Sequence, residues 1–315
     1  MSTVEAPPRG PATARAPRRR IRLTDRARHE RNLGWLLAGP AFIAMVAVTG
    51  YPILNALWLS MFDYRLTDPG GREFVGLGNY TTILTDGLFW QQFGVTSLIT
   101  VVTVAAELVL GFALAMVMHR ALYLRTALRT AILVPYGIIT VVSAYAWAYA
   151  FSNTYGFVNG LFGLGEFDWF GGTWSALVTV CVAEIWKTTP FMSLLLLAGL
   201  AQIPDDYLEA AKVDGATAWQ RVKRVILPNM KAAIMVALLF RTLDAFRIFD
   251  SIFIMTAGAQ GTETLSFLAY RQTISRVMVG LGSAVSVILA ILVVIIAVMF
   301  VKVFKTDLSQ QRGER

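Results

Sequence analysis

Three stretches of the chain, residues 34–60, 130–151 and 282–301, each run for roughly twenty residues or more without a charge. A helix needs about 20 apolar residues to cross about 30 Å of hydrocarbon, so each is long enough to span a bilayer. Three further stretches are as long and almost as apolar. Residues 93–118 hold Glu107 alone, 174–203 hold Glu184 and Lys187, and 232–257 hold Arg241, Asp244, Arg247 and Asp250. Unpaired backbone groups are too costly in lipid, and none of the six shows the two-residue alternation of a barrel strand. The sequence therefore predicts an all-α, polytopic membrane protein with six transmembrane helices.

The charge supports this reading. Charged residues make up 15% of the chain and hydrophobic ones 56%, whereas soluble domains carry about 25% charged residues. A net charge of +8 would suit a nucleic-acid binder, but the basic residues gather at the ends of the apolar segments, where membrane orientation is set. No nucleic-acid partner is expected, and membrane lipid is. Twenty-one Lys and Arg fall in the N-terminal tail, the loops after the second and fourth spans, and the C-terminal tail; four fall in the opposite loops. This asymmetry predicts a multi-pass protein of the plasma membrane with both termini in the cytoplasm.

The expected organisation is a disordered basic tail over 1–33, a six-helix domain over 34–304 and a short cytoplasmic tail over 305–315. Pro7, Pro8, Pro11, Pro17 and the run Arg18-Arg19-Arg20 mark the first tail. The first apolar segment is too long for the core of a signal peptide, so an uncleaved anchor is expected. Cys181 is the only cysteine, so no internal disulfide can form. No internal repeat is visible.

Residues 204–228 form a polar island between two spans. Pro204 can begin a helix, and Asp205 and Asp206 suit its positive first turn. Gly215 can end that helix in the φ > 0 region. Thr217 followed by Gln220 fits a capping box for a second short helix, and Pro228 would close the segment. Ala210 and Ala211 would let a partner approach closely, Tyr207 and Leu208 would offer it apolar contact, and Glu209 could pair with a partner Arg. A plain amphipathic loop at the lipid surface fits the same residues on physical grounds alone.

The run Glu209-Ala210-Ala211, with Gly215 six residues after the Glu and Leu227-Pro228 beyond it, resembles the cytoplasmic EAA loop of ABC importer permeases. The resemblance extends from about Gly34 to Phe304. Phe74-Val75-Gly76-Leu77-Gly78-Asn79-Tyr80 is similar to an element that follows the first span in the sugar-importing, maltose-permease-like branch. Leu133-Val134-Pro135-Tyr136, Ile185-Trp186 through Pro190-Phe191, Leu196-Leu197-Ala198-Gly199-Leu200 and Ile203-Pro204 look like the same branch. Phe249-Asp250-Ser251-Ile252 with Thr256 and Gly258 resembles its FDxI…TxGGP ending, except that Ala259-Gln260 replaces Gly-Pro. With the Arg- and Ala-rich tail, the set looks like the trehalose-importing permeases of actinobacteria. The resemblance implies that Tyr207, Leu208, Glu209, Ala210, Ala211, Asp214, Gly215, Leu227 and Pro228 couple the chain to an ATPase. It also implies a second permease as heterodimer partner, two ATPase subunits that carry ATP and Mg, and an extracytoplasmic sugar-binding (lipo)protein. No cofactor is expected in this chain.

An ionised residue at the bilayer centre costs about 2.5–3.5 kcal/mol on insertion scales, so the charges inside spans must face protein or water. On one continuous helix, the four in the fifth span would cover about half the circumference. Arg241/Asp244, Arg247/Asp250 and Glu184/Lys187 are i,i+3 neighbours that can neutralise each other. Arg241 and Asp244 are expected to hold the helix in its bundle. Arg247 and Asp250 are expected to line a polar path, with Glu184, Lys187 and Glu107 as further candidates and Phe246, Phe249, Trp186 and Tyr136 offering aromatic faces to a sugar. His29 and His119 are expected to be solvated.

Two other function classes are open to an apolar chain of this kind. An intramembrane enzyme would show a zinc or serine motif, but the two histidines are far apart, no HExxH or GxSxG is present, and no metal site is expected. A self-contained, ion-coupled secondary transporter could use the membrane acids but would not need the EAA spacing. No GxxxxGK[ST] is present, so ATP hydrolysis by a P-loop must come from another chain.

Overall fold

The computed structural model describes residues 25–120 and 125–311. Most of the tail expected over 1–33 lies outside the described residues, as do the last four residues. The chain divides into two units, one ending at Leu54 and one starting at Asn55. The first is helical from Asp25: α1, Asp25–Leu59, enters the second unit only with its last turn and carries Pro40 and Pro52 inside it. Thus residues 25–33, expected to be disordered, are helical.

The second unit opens with a short hairpin, β1 (Phe62–Arg65) and β2 (Asp68–Phe74), followed by α2 (Gly78–Thr85). The 74–80 motif has a clear local task here. The Asn79 side-chain amide donates to the carbonyls of Ser60 (2.8 Å) and Phe62 (2.9 Å), and the Tyr80 hydroxyl lies 2.6 Å from that of Ser60. Together they fix the chain's exit from α1 against the start of α2.

The long helices are α3 (Gly87–Arg120), α7 (Thr173–Leu200) and α14 (Val279–Gln311), the last running well into the expected C-terminal tail. With α1 they are long and apolar enough to cross a membrane. The expected third and fifth spans are broken instead. Residues 130–151 form α4 (Arg125–Gly137) and α5 (Thr140–Ala150), bent by 88°, with the short helix α6 (Val158–Phe162) beyond. After α7, residues 204–229 form α8 (Asp205–Val213), α9 (Ala218–Arg221), a π-helical turn over Val222–Ile226 and α10 (Leu227–Asn229). A bend of 71° then leads into α11 (Lys231–Ala245). The expected span 232–257 is α11 and α12 (Asp250–Met255) with a non-helical link between them; α13 (Leu265–Tyr270) follows. Among the described residues, counting each bent pair as one span gives up to six by length and composition.

The core is built on α3 against α7, with α11 across them. Met118, Met192, Leu196, Leu200 and Met230 are all but fully buried there. Lipid tails are as apolar as Leu, so close packing at small residues must hold such helices together. A Cβ at Gly111 would meet Met192 Cγ at 2.8 Å, and one at Gly199 would overlap the Ala233 methyl. Both are glycines because a neighbouring helix occupies the space.

The turn after α12 departs from the family pattern. Ala257, Gly258, Gln260 and Gly261 all take positive φ, with Gln260 at +54°. The resembled motif has Pro at position 260, and Pro is held near −65°. The substitution therefore permits a backbone that Pro could not adopt.

Candidate functional site

The two broken spans bring their breaks to one cavity of about 430 Å³. From the third span come Tyr136 and Thr140, on either side of the Gly137–Thr140 break. From the fifth come Ala245 and Arg247 to Ser251, which take in most of the link between α11 and α12. In the first break, Pro135 supplies no N–H and Gly137 ends α4. In the second there is neither Gly nor Pro. The link is held by N–H groups of Phe246, Arg247 and Ile248 turning back to carbonyls within α11, and the freed Ile248 carbonyl accepts from the Thr264 hydroxyl at 3.1 Å. Non-helical backbone at membrane depth is tolerated where it is so satisfied or lines a water-filled space.

One wall of the cavity is a buried ion cluster. Arg241 is 2% exposed and reaches three carboxylates. Its Nε and Nη2 grip Glu107 as a fork, the second bond at 3.0 Å; Nη2 lies 3.4 Å from Glu184, and Nη1 bonds Asp244. Glu107 also accepts from the Thr188 hydroxyl at 2.7 Å, and Glu184 from the Ser251 hydroxyl. One guanidinium thus ties α3, α7 and α11 together, while Ser251 adds the start of α12. A forked Arg–carboxylate pair is strong and geometrically specific.

The other wall is open. Arg247 and Asp250 are exposed, and Arg247 Nε donates only to the Leu243 carbonyl at 3.1 Å. Tyr136 stacks on Phe191 (5.2 Å between centroids) and holds the Lys187 ammonium 5.7 Å from its ring. Phe249 is half-buried among Phe253, Phe267 and Tyr270.

Several expectations change. Because α11 stops at Ala245, helical spacing no longer relates Arg247 and Asp250 to Arg241, and no ion pair joins Arg247 to Asp250 among the described residues. Glu184 pairs with Arg241 rather than Lys187. Glu107 lies behind Arg241, fully buried, away from the cavity. Phe246 is buried against Phe93, and Trp186 faces a different side with Trp147. Asp244 lines the cavity and its side chain is 66% exposed, so it is not a buried lock. Thr140, Thr188 and Ser251 were missed; only the pair Pro135 and Gly137 signalled a break beside Thr140.

The polar loop forms as two short helices. Gly215 takes φ +76°, and Ala216 N–H returns to the Ala211 carbonyl at 2.9 Å, ending α8. The Thr217 hydroxyl accepts from Gln220 N–H at 3.3 Å while the Gln220 side chain accepts from Thr217 N–H at 2.7 Å, a complete capping box. Pro228 does not close the segment. The π-helical turn over Val222–Ile226 leads straight into α10, which contains Pro228, and the chain bends only before Lys231. No residue of α8 is buried. Tyr207, Glu209, Ala210, Asp214, Gly215 and Pro228 are exposed, Ala211 and Leu227 half-buried. Leu208 turns inward onto the α3–α7 core, leaving Val213 and Trp219, both largely exposed, as the apolar face that the sequence reading overlooked. His29 is exposed, but His119 is half-buried with its Nδ1 unbonded.

Residues 107–306 match the model of a family described as binding-protein-dependent transport system inner membrane component. The trehalose transport system permease protein SugA of Mycobacterium tuberculosis is 52% identical over 277 residues, 87% of this chain and 89% of that protein. The trehalose/maltose transport system permease protein MalF of Thermococcus litoralis is 36% identical over 90% of this chain and 99% of its own. The fold is shared with a chain in the crystal structure of a bacterial ABC transporter involved in the import of the acidic polysaccharide alginate, with a TM-score of 0.76 at 20% identity over 90% of this chain and 99% of that one.

Proposed function

The chain belongs to the binding-protein-dependent transport system inner membrane component family, and on that premise we propose that it forms half of the membrane path of an ABC importer for a neutral disaccharide of the trehalose or maltose type. It is a transport subunit, not an enzyme. The observation that carries the reading is the convergence of two broken spans on a cavity lined by three carboxylates (Glu184, Asp244, Asp250) and three cations (Lys187, Arg241, Arg247). A balanced lining suits an uncharged solute with many hydroxyls. The charges offer strong hydrogen bonds, and Tyr136 and Phe249 offer faces to its C–H surfaces. A second permease would close the open side, and an extracytoplasmic binding protein would deliver the sugar.

The energy would enter through α8. Its exposed face, Tyr207, Glu209, Ala210 and Val213, with Trp219 beyond the Gly215 bend, suits a groove on an ATPase subunit in the cytoplasm, where both termini would also lie. Two such subunits, with their ATP and Mg, would close together and move α8 as a lever. Gly215→Val puts a β-branched residue at φ > 0, at a cost of roughly 1–2 kcal/mol or more, and Glu209→Lys reverses the charge offered. Each is expected to abolish uptake while the chain still inserts.

The test is uptake of labelled trehalose by vesicles holding the permease pair, the ATPases and the binding protein. Saturable uptake that needs ATP and every component is expected. Uptake by this chain with an ion gradient and no ATPase would make it a secondary transporter and overturn the reading. Normal uptake by Gly215→Val and Glu209→Lys would remove the loop from the mechanism.

A further inference from the structure

A second cavity, about 510 Å³, lies where the last turn of α3 meets the end of α7, α8 and α9. Its floor is apolar, with Met116, Leu200 and Ile226; its rim carries Arg120 from α3, Lys212 from α8 and Arg221 from α9. Among the described residues, Asp205 is the only acid in the lining. Among the described residues, none of the three rim cations has an ion-pair or hydrogen-bond partner. His119, also in the lining, has a buried Nδ1 without a partner.

Three like charges around one concavity repel each other, so the arrangement is best satisfied by an anion. The floor narrows the choice. Inorganic phosphate would gain nothing from the apolar residues, whereas an anionic amphiphile matches both parts, its phosphate on the rim and its glycerol and acyl carbons on the floor. The position agrees: the long apolar run of α3 ends at His119 and Arg120, the level at which a headgroup sits. Basic pockets between helices at that level suit anionic headgroups. We propose that this cavity is a binding site for one anionic phospholipid, whose headgroup bridges α3 to the two short helices of the 204–229 loop. The site is distinct from the sugar cavity, and the lipid would set how freely α8 moves.

Native mass spectrometry of the intact importer, without sugar or nucleotide, separates this from the transport reading, because retention of lipid is measured whether or not uptake occurs. The probes are dioleoylphosphatidylglycerol and dioleoylphosphatidylcholine. The wild type is expected to retain one phosphatidylglycerol per copy of this chain in preference to phosphatidylcholine. Arg120→Gln with Arg221→Gln should weaken that retention by about fivefold per charge removed. Lys212→Gln, at an exposed position that cannot disturb the core, should weaken it by one such step and serves if the double variant assembles poorly. Inorganic phosphate in excess should leave the lipid in place. Equal retention of both lipids, or unchanged retention in Lys212→Gln, would overturn the proposal. Displacement by phosphate would make the cavity a site for a free anion instead.

Discussion

Arg241 and Arg247 are the same residue type six positions apart in what the sequence presents as one span, yet they live in different worlds. Arg241 is buried, with nearly all its donors engaged by carboxylates on three helices. Arg247 is exposed and holds one backbone carbonyl. The difference lies in what the backbone does between them. Helix α11 ends at Ala245, so Arg241 is still clamped between α3 and α7 while Arg247 has left the helix and faces the cavity. A charge in an apolar segment thus marks either a lock or a lining, and the neighbouring helices decide which.

The largest effect expected is that of Arg241→Gln. It leaves Glu107 and Glu184 as buried charges without a counter-ion, a loss of about 3–5 kcal/mol for a broken buried pair. That is a large part of a usual stability margin of about 5–15 kcal/mol. Membrane abundance of the folded complex, read by fluorescence-detected size exclusion, should fall steeply. Adding Glu107→Gln to this variant should restore part of it, since the stranded charge is removed. An unchanged abundance in Arg241→Gln would break the comparison outright.

Glu107→Gln alone comes next. Arg241 keeps Glu184 and Asp244, and the amide still accepts one bond, so the loss should be clear but smaller than for Arg241→Gln. The same measurement ranks them. An equal or greater loss would mean that Glu107, rather than Arg241, is the centre of the cluster.

At the open wall the readout changes from abundance to transport. Asp250→Asn keeps shape but weakens a charged hydrogen bond, worth about 1.5 kcal/mol or more, which is about tenfold in affinity. The half-saturating sugar concentration should rise by up to about that factor at unchanged abundance. Lower abundance with normal uptake per molecule would make Asp250 a structural residue.

How much of this was legible depended on distance along the chain. The caps at Gly215 and Thr217/Gln220 could be read because their partners lie within five residues. Charge-free runs located the spans for the same local reason. The i,i+3 rule found Asp244 for Arg241 but could not find Glu107, 134 positions away, or Glu184, 57 away. The break after Gly137 had a local cause in Pro135 and Gly137. The break at 246–249 has none; its Ile248 carbonyl is satisfied by the Thr264 hydroxyl, a contact only the fold supplies. Charge density in the fifth span signalled a special environment, but helical arithmetic then projected it past the point where the helix ends.

Asp244→Asn is the smallest and most discriminating change. By sequence it belongs with Arg241 in the lock. In the structure its carboxylate bonds Arg241 but is 66% exposed to the cavity. An ion pair so open to water is worth about 0–1 kcal/mol, and Arg241 keeps Glu107 and Glu184 when it is lost. Abundance should therefore stay close to wild type, with at most a mild rise in the half-saturating sugar concentration from the altered lining. A fall as steep as that of Arg241→Gln would carry a definite meaning. It would say that Asp244 is covered in the assembled importer, so that the wall open in this chain is closed at that point by the second permease, and that the boundary between lock and lining lies nearer Arg247 than this chain alone suggests.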